Sequence, residues 1–231
     1  MEFALDQNNQ RIRAFDAIKG KNYFCPTCHK QVCLKRGEIN IDHFAHLTKC
    51  EDNWHYDMSL WHSQWQNQFP LRNQEVVINS NGELHRADVM ACGYVIEFQH
   101  SSITAEEFNE RNTFYINYGK KVIWVFDFID EFDSKQISFY EEWGNKYDNG
   151  AKYKWKYPKR FLQGYLPQRD RNIIVFFQFF TSDHSNKESC YMERITWAIE
   201  EDEYSDFRRF CTSYYPSNSI ELLDYIKAQK L

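Results

Sequence analysis

No stretch of the 231 residues is apolar for long enough to cross a bilayer as a helix. The longest apolar run, residues 173–177 with their neighbours, has the length of a buried strand. Residues 1–13 are polar and lack the apolar stretch of a signal peptide, so a cytoplasmic location is expected, with no membrane partner. There is no internal repeat, no low-complexity segment, and no linker rich in proline, glycine or serine within 127–231. Those residues therefore read as an extension of the domain before them. An excess of positive charge is also missing: the formal net charge of −5 argues against broad affinity for nucleic acid, although local charge counts for more than the total. Locally, Lys152, Lys154, Lys156, Lys159, Arg160, Arg169 and Arg171 stand against the single acid Asp170, after an acidic stretch over 127–148. This is either a basic surface or an ordinary solvated face.

What is present is a chain that is 42% hydrophobic and 18% aromatic, enough for a core of ordinary size without covalent staples. The length fits one good-sized domain or a small module plus a larger one, and the change of pattern after residue 52 favours a module over 1–52 followed by a domain over 53–231. Trp54, Met58, Trp61, Trp65 and Phe69 recur at spacings of three and four and predict a helix over 52–69, stopped by Pro70. Three strands follow, over 75–78, 84–90 and 94–99, with turns at Asn81-Gly82 and 91–93. Thr104 with Glu107 three residues on marks a helix start, Phe108, Arg111, Tyr115 and Tyr118 share one face, and Gly119 is its natural stop. A buried strand over 121–126 completes the order helix, three strands, helix, strand. Further on, 173–180 reads as a central strand, and 204–211 and 219–227 as helices.

The seven cysteines are unevenly spread: Cys25, Cys28, Cys33 and Cys50 lie within the first fifty residues. In a cytosolic chain that crowding favours metal over disulfides. Cys25-Pro26-Thr27-Cys28 and His46-Leu47-Thr48-Lys49-Cys50 each follow an apolar strand end and offer a ligand on either side of a tight turn. Two such knuckles facing each other would hold a structural Zn2+ through Cys25, Cys28, His46 and Cys50. His43 is the alternative to His46, ranked second because an offset of three residues points to the other side of a strand. Cys33 reads as a core residue. The competing reading is a set of free, buried cysteines.

The second and third predicted strands each carry an acid among apolar neighbours: Asp88 within Ala-Asp-Val and Glu97 within Ile-Glu-Phe. A hairpin between them would set Asp88 nearly opposite Glu97, with Cβ atoms about 5 Å apart, and Gln99 on the same face as Glu97. Two carboxylates at that separation repel unless a proton or cation lies between them. Oxygen ligands of this kind suit Mg2+ or Mn2+, which can polarise a phosphodiester and activate a bound water. Two surface carboxylates are the plainer alternative.

His85-Arg86-Ala87-Asp88 followed by Val95-Ile96-Glu97-Phe98-Gln99-His100-Ser101 resembles the competence protein CoiA-like family. Trp61-His62-Ser63-Gln64-Trp65, Cys25-Pro26-Thr27-Cys28 and His43-Phe44-Ala45-His46 carry the same resemblance, which covers residues 1 to about 126. It implies an α/β fold: a restriction-endonuclease-like αβββαβ core of the PD-(D/E)XK superfamily (residues 54–126), an amino-terminal zinc-ribbon-like module and an α+β extension (127–231). It implies a metal-dependent nuclease acting on DNA, in which Asp88 bridges the metal, Glu97 is the second acid, and Gln99 stands where a lysine is usual. Glutamine can orient water but carries no charge, so the missing charge would come from Arg86, His85, His100 or Arg111, with Tyr115 one turn beyond Arg111. His62 lies on the first helix, where the superfamily often has a further acidic group. Expected partners are DNA and either DNA-processing proteins or further copies of the chain. The alternative is a non-catalytic, zinc-containing nucleic-acid-binding protein with a degenerate nuclease fold.

Overall fold

A computed structural model describes residues 1–37, 41–50, 54, 58–139, 152–156, 165, 167, 169–182, 188–198 and 207–216. By backbone packing the chain divides into two compact units, Met1–Ala91 and Cys92–Leu231. Among the described residues no helix is long and apolar enough to cross a membrane.

The first unit opens with five short strands, β1 (Phe3–Leu5), β2 (Arg11–Arg13), β3 (Tyr23–Phe24), β4 (Gln31–Lys35) and β5 (His43–His46), joined in the order β2-β1-β3-β4-β5. Every pairing among them is antiparallel. Strands this short bury little, and the core is correspondingly small: Met1, Ala4, Ala14, Ala17, Tyr23, Val32 and Phe44, together with Cys25 and Cys50. A module of this size is of the kind that a bound metal ordinarily stabilises.

Helix α1 (Leu60–Gln66) follows, capped by the Ser59 side chain, which accepts from the His62 N–H. The predicted helix over 52–69 is thus much shorter. Ser59 has extended dihedrals, and Trp54 lies outside any helix, stacked on the His85 ring at 3.4 Å. The three-and-four stripe from Trp54 to Trp65 mixed two environments; residues 51–53 and 55–57 lie outside the described residues. The helix also ends at Asn67, before Pro70 could stop it.

Strands β6 (Gln74–Ser80) and β7 (Glu83–Ala91) form the expected hairpin, with Ser80 opposite Glu83. Asn81 and Gly82 both take positive φ, 54° and 89°, the geometry that a two-residue type I′ turn requires and that Asn-Gly tolerates. The hairpin is fastened to the first sheet by Glu75. Its backbone sits at φ 43°, and its carboxylate accepts from the N–H groups of Glu2 (2.6 Å) and Phe3 (3.2 Å). Arg11 adds bonds to the carbonyls of Leu71 and Gln74.

In the second unit β8 (Tyr94–Gln99), α2 (Ala105–Asn117) and β9 (Lys121–Asp127) make a βαβ turn with parallel strands. Thr104 caps α2 by accepting from Glu107 N–H, and Gly119 at φ 80° ends it, as the sequence indicates. Tyr118 departs from the predicted face: it is 41% exposed, whereas Phe108, Arg111 and Tyr115 are buried. Beyond α3 (Ile129–Asp133) come β10 (Ile137–Phe139), β11 (Lys152–Lys156), β12 (Ile173–Ser182), β13 (Glu188–Ala198) and β14 (Phe207–Pro216). The order within this unit is β10-β11-β14-β13-β12-β9-β8, so β12 is indeed central, parallel to β9 and antiparallel to β13. The helix predicted over 204–211 is replaced from Phe207 onward by β14, which pairs with both β13 and β11. Two flanking ladders outweigh a helical spacing of aromatics. The helix predicted over 219–227, and most of the basic stretch after Lys156, lie outside the described residues. The core of this unit is aromatic: Trp124, Phe126, Phe128, Phe176, Phe177 and Phe179 are all buried.

Candidate metal centre and acidic strand

The turn between β3 and β4 is held by its own backbone. Cys25 N–H donates to Lys30 O (2.9 Å), and His29 N–H donates to Cys25 O (3.0 Å). Thr27 N–H donates to Cys25 Sγ (3.3 Å), leaving the sulfur aimed inward. The strand β5 ends on His46, opposite Val32, and delivers the imidazole to the same spot. Ligand atoms of Cys25, Cys28, His46 and Cys50 all lie within 4.8 Å of one another. Cys28 Sγ is 3.5 Å from His46 Nε2 and 3.6 Å from Cys50 Sγ. Zinc with Zn–S of about 2.3 Å and Zn–N of about 2.05 Å gives tetrahedral edges of about 3.8 Å for S–S and about 3.6 Å for S–N. The four residues therefore fit a metal ion such as zinc. Burial pushes the Cys25 thiol up. For Cys28 burial also acts upward, but hydrogen bonds from Lys30 N–H and the neighbouring thiols outweigh it and the net direction is down. His43 is not in the cluster; its Nδ1 donates to Ile41 O at 2.8 Å. Cys33 is only partly buried, with its thiol 3.5 Å from Ala45 O.

The predicted acids fall in different units, and each has its own surroundings. In the first, Asp88 on β7 lies with Oδ1 3.2 Å from His62 Nε2 of α1, both side chains about one-fifth exposed (20% and 17%). His85 stacks on Trp54, and Arg86 directs NH1 to Met1 Sδ at 3.2 Å.

In the second, every residue of β8 is buried, including Glu97 at 1%. A carboxylate there must be compensated. Arg111 NH1 donates to Oε2 (2.8 Å) and Tyr115 OH to Oε1 (3.0 Å), from successive turns of α2. Arg111 is itself held by Glu107, four residues earlier, through Nε (3.0 Å) and NH2 (2.6 Å). A carboxylate oxygen can take more than one partner, so a hard cation is chemically compatible with this carboxylate. Gln99 is 4% exposed; its Nε2 donates to Ser101 O (2.8 Å) and Oγ (3.2 Å), which fixes Oε1 as the acceptor. His100 Nδ1 lies 2.8 Å from Asp127 Oδ2. Sequence reasoning missed Glu107, Ser101 and Asp127 as partners. Only Glu107 was legible, as an acid one helical turn before Arg111.

One unit thus carries a soft-ligand cluster that could hold a metal ion, and the other a buried, compensated carboxylate. Residues 5–52 match the family description "Competence protein CoiA, N-terminal domain", and residues 84–198 match "Competence protein CoiA, nuclease-like domain". Together these matches span well over half of the chain, and the protein belongs to the CoiA family. No curated protein and no solved structure matches it.

Proposed function

We propose that this protein is a metal-dependent nuclease of the PD-(D/E)XK type that hydrolyses DNA phosphodiester bonds. In this reading Asp88 and Glu97 hold one divalent ion, Mg2+ or Mn2+, and Gln99 orients the attacking water. The carrying observation is Glu97. An ionisable group buried to 1% in an apolar strand, and held by two donors from one helix, is an arrangement that clusters at functional sites. The chain order α1, β6, β7, β8, α2, β9 is the one this superfamily requires. The bound ion would supply Lewis-acid stabilisation of the phosphoryl oxygens and a water of lowered pKa.

The protein side chains have distinct tasks. Arg111 and Tyr115 fix both Glu97 oxygens in direction. Gln99 Oε1, with its amide nitrogen committed to Ser101, accepts a proton-bearing edge of the water and so aims its lone pair. His62 Nε2 stands 3.2 Å from Asp88 Oδ1 on the side of α1. Zinc at Cys25, Cys28, His46 and Cys50 would be structural, since four protein ligands leave no open position for substrate. Residues 1–52 would form the zinc module and residues 53–231 the nuclease domain.

The test is nicking of supercoiled plasmid by zinc-loaded protein with added Mg2+ or Mn2+, compared with Asp88→Asn and Glu97→Gln. Cleavage that needs the added ion and is lost in both variants supports the reading. Equal cleavage in both variants overturns it. A second reading is favoured by the absence of a lysine at Gln99: a DNA-binding protein whose nuclease fold no longer cuts. It predicts plasmid binding without nicking under every metal condition.

A further inference from the structure

The loop that joins β2 to β3 combines two features that seldom occur together. Its backbone is pinned, while its largest side chains face water. The Arg36 guanidinium donates to the carbonyls of Ala14 (3.0 Å), Phe15 (2.7 Å) and Ala17 (2.9 Å), and its Nε is held by Asp42 (2.8 Å). Tyr23 OH accepts from Ile18 N–H at 2.7 Å. Ala14 and Ala17 are buried in the small core. Yet Phe15 is 76% exposed and Ile18 57% exposed. An apolar side chain that folding has left outside on a fixed backbone is ready to bind without an ordering cost.

Phe15 also forms one wall of a cavity of about 360 Å3, with Glu2, Arg13, Ile41, Asp42 and Ser63 as the others. That volume lies at the lower end of small-ligand pockets, apolar on one side with a few convergent polar groups. Two nearby arginines are already paired, Arg13 with Glu2 (3.0 Å) and Arg36 with Asp42 (2.8 Å), so the positive charge that remains beside Phe15 is on the lysines of the loop. Lys19 and Lys21 are exposed on the same loop, four and six residues beyond Phe15.

We propose that this loop of the metal-binding module is a docking site for single-stranded nucleic acid, with one base stacked on Phe15 at the mouth of the cavity and the phosphates running past Lys19 and Lys21. A flat aromatic face beside a basic run is the combination that single strands recognise. In a duplex the bases are already stacked, so the same surface would take it only weakly. Asp42, whose Oδ2 is held by Arg36, offers Oδ1 as an acceptor and favours a base with an exocyclic amino group. The site lies outside the acidic strand, and the inference does not rest on the cleavage reading.

The experiment is fluorescence anisotropy of labelled dC20 with the full-length, zinc-loaded chain, without added Mg2+ or Mn2+ so that binding is read apart from cleavage. Duplex of equal length and rC20 run in parallel, the latter to separate RNA from DNA. Phe15→Ala should weaken dC20 binding by about five- to a hundred-fold, and Phe15→Trp should restore it. Lys19→Gln with Lys21→Gln should flatten the salt dependence by about 1.4 in log–log slope. Leu71→Ala, also an exposed apolar residue, at 57%, should leave affinity unchanged. Retained zinc shows that each variant is folded. The proposal is overturned if Phe15→Ala binds like the wild type, if duplex binds as tightly as dC20, or if the chain binds phosphatidylserine vesicles through Phe15 and ignores dC20.

Discussion

Replacing Glu97 by alanine should destabilise this protein far more than replacing Asp88. Glu97 is one half of a buried ion pair: its side chain is 2% exposed and that of Arg111 is 4% exposed. Breaking such a pair from one side costs about 3–5 kcal/mol, because the surviving charge stays buried. Glu107 still holds Arg111 on another edge, which favours the lower end, while Tyr115 OH loses its acceptor at about 1–3 kcal/mol. The sum is about 4–6 kcal/mol. At about 2–4 °C per kcal/mol for a chain of this length, the melting midpoint should fall by about 8–24 °C. Asp88, one-fifth exposed and beside a histidine, should cost about 1 kcal/mol or less as Asp88→Asn. The assay is thermal unfolding followed by circular dichroism. The double variant Glu97→Leu with Arg111→Met, which removes both charges, should melt higher than either single substitution. A midpoint for Glu97→Ala within about 2 °C of wild type would refute the reasoning, since it would mean that the Arg111 charge finds water.

Metal analysis of the purified chain should give close to one equivalent of zinc, and Cys28→Ala should lose it and become sensitive to proteolysis within the first fifty residues; full zinc retention in that variant would remove Cys28 from the site. Single-turnover cleavage should be slowed about a hundred- to ten-thousand-fold by Gln99→Ala, with binding little changed. Gln99→Lys distinguishes an ordinary superfamily site, where rate is kept or raised, from one already served by another cation, where it falls. Glu75→Ala should cost about 2–4 kcal/mol in urea unfolding, because it strands the N–H groups of Glu2 and Phe3 in a buried position.

Those parts of the fold whose signals are local were readable in advance. Strands β6 to β9 show alternation or short apolar runs bounded by Asn-Gly and Gly, and α2 carries its own cap and stop. Helix α1 was overextended because Trp54 and Met58 happen to fall in phase with Trp61 and Trp65, and only Ser59 breaks the pattern. Residues 204–211 read as a helix from local pattern, whereas the state of β14 is set by ladders to β13 and β11, whose paired residues are more than ten positions away in sequence. At the candidate sites the four soft ligands announced themselves by paired knuckles. The partners of Gln99 and His100 did not: Ser101 meets Gln99 through a local bend that no spacing rule marks, and Asp127 meets His100 only once β8 and β9 run side by side.

The grip of Glu75 on β1 joins two things that the sequence keeps apart. The first sheet, with its four soft ligands, and the hairpin that carries Asp88 share a buried carboxylate, so neither can melt without exposing the other's unpaired groups. Metal bound in the module would then raise the stability of the hairpin as well, by mass action on a common unfolded state. Without that metal the first sheet and the hairpin would loosen together, and proteolysis would reach all of Met1–Ala91 rather than a frayed amino terminus alone.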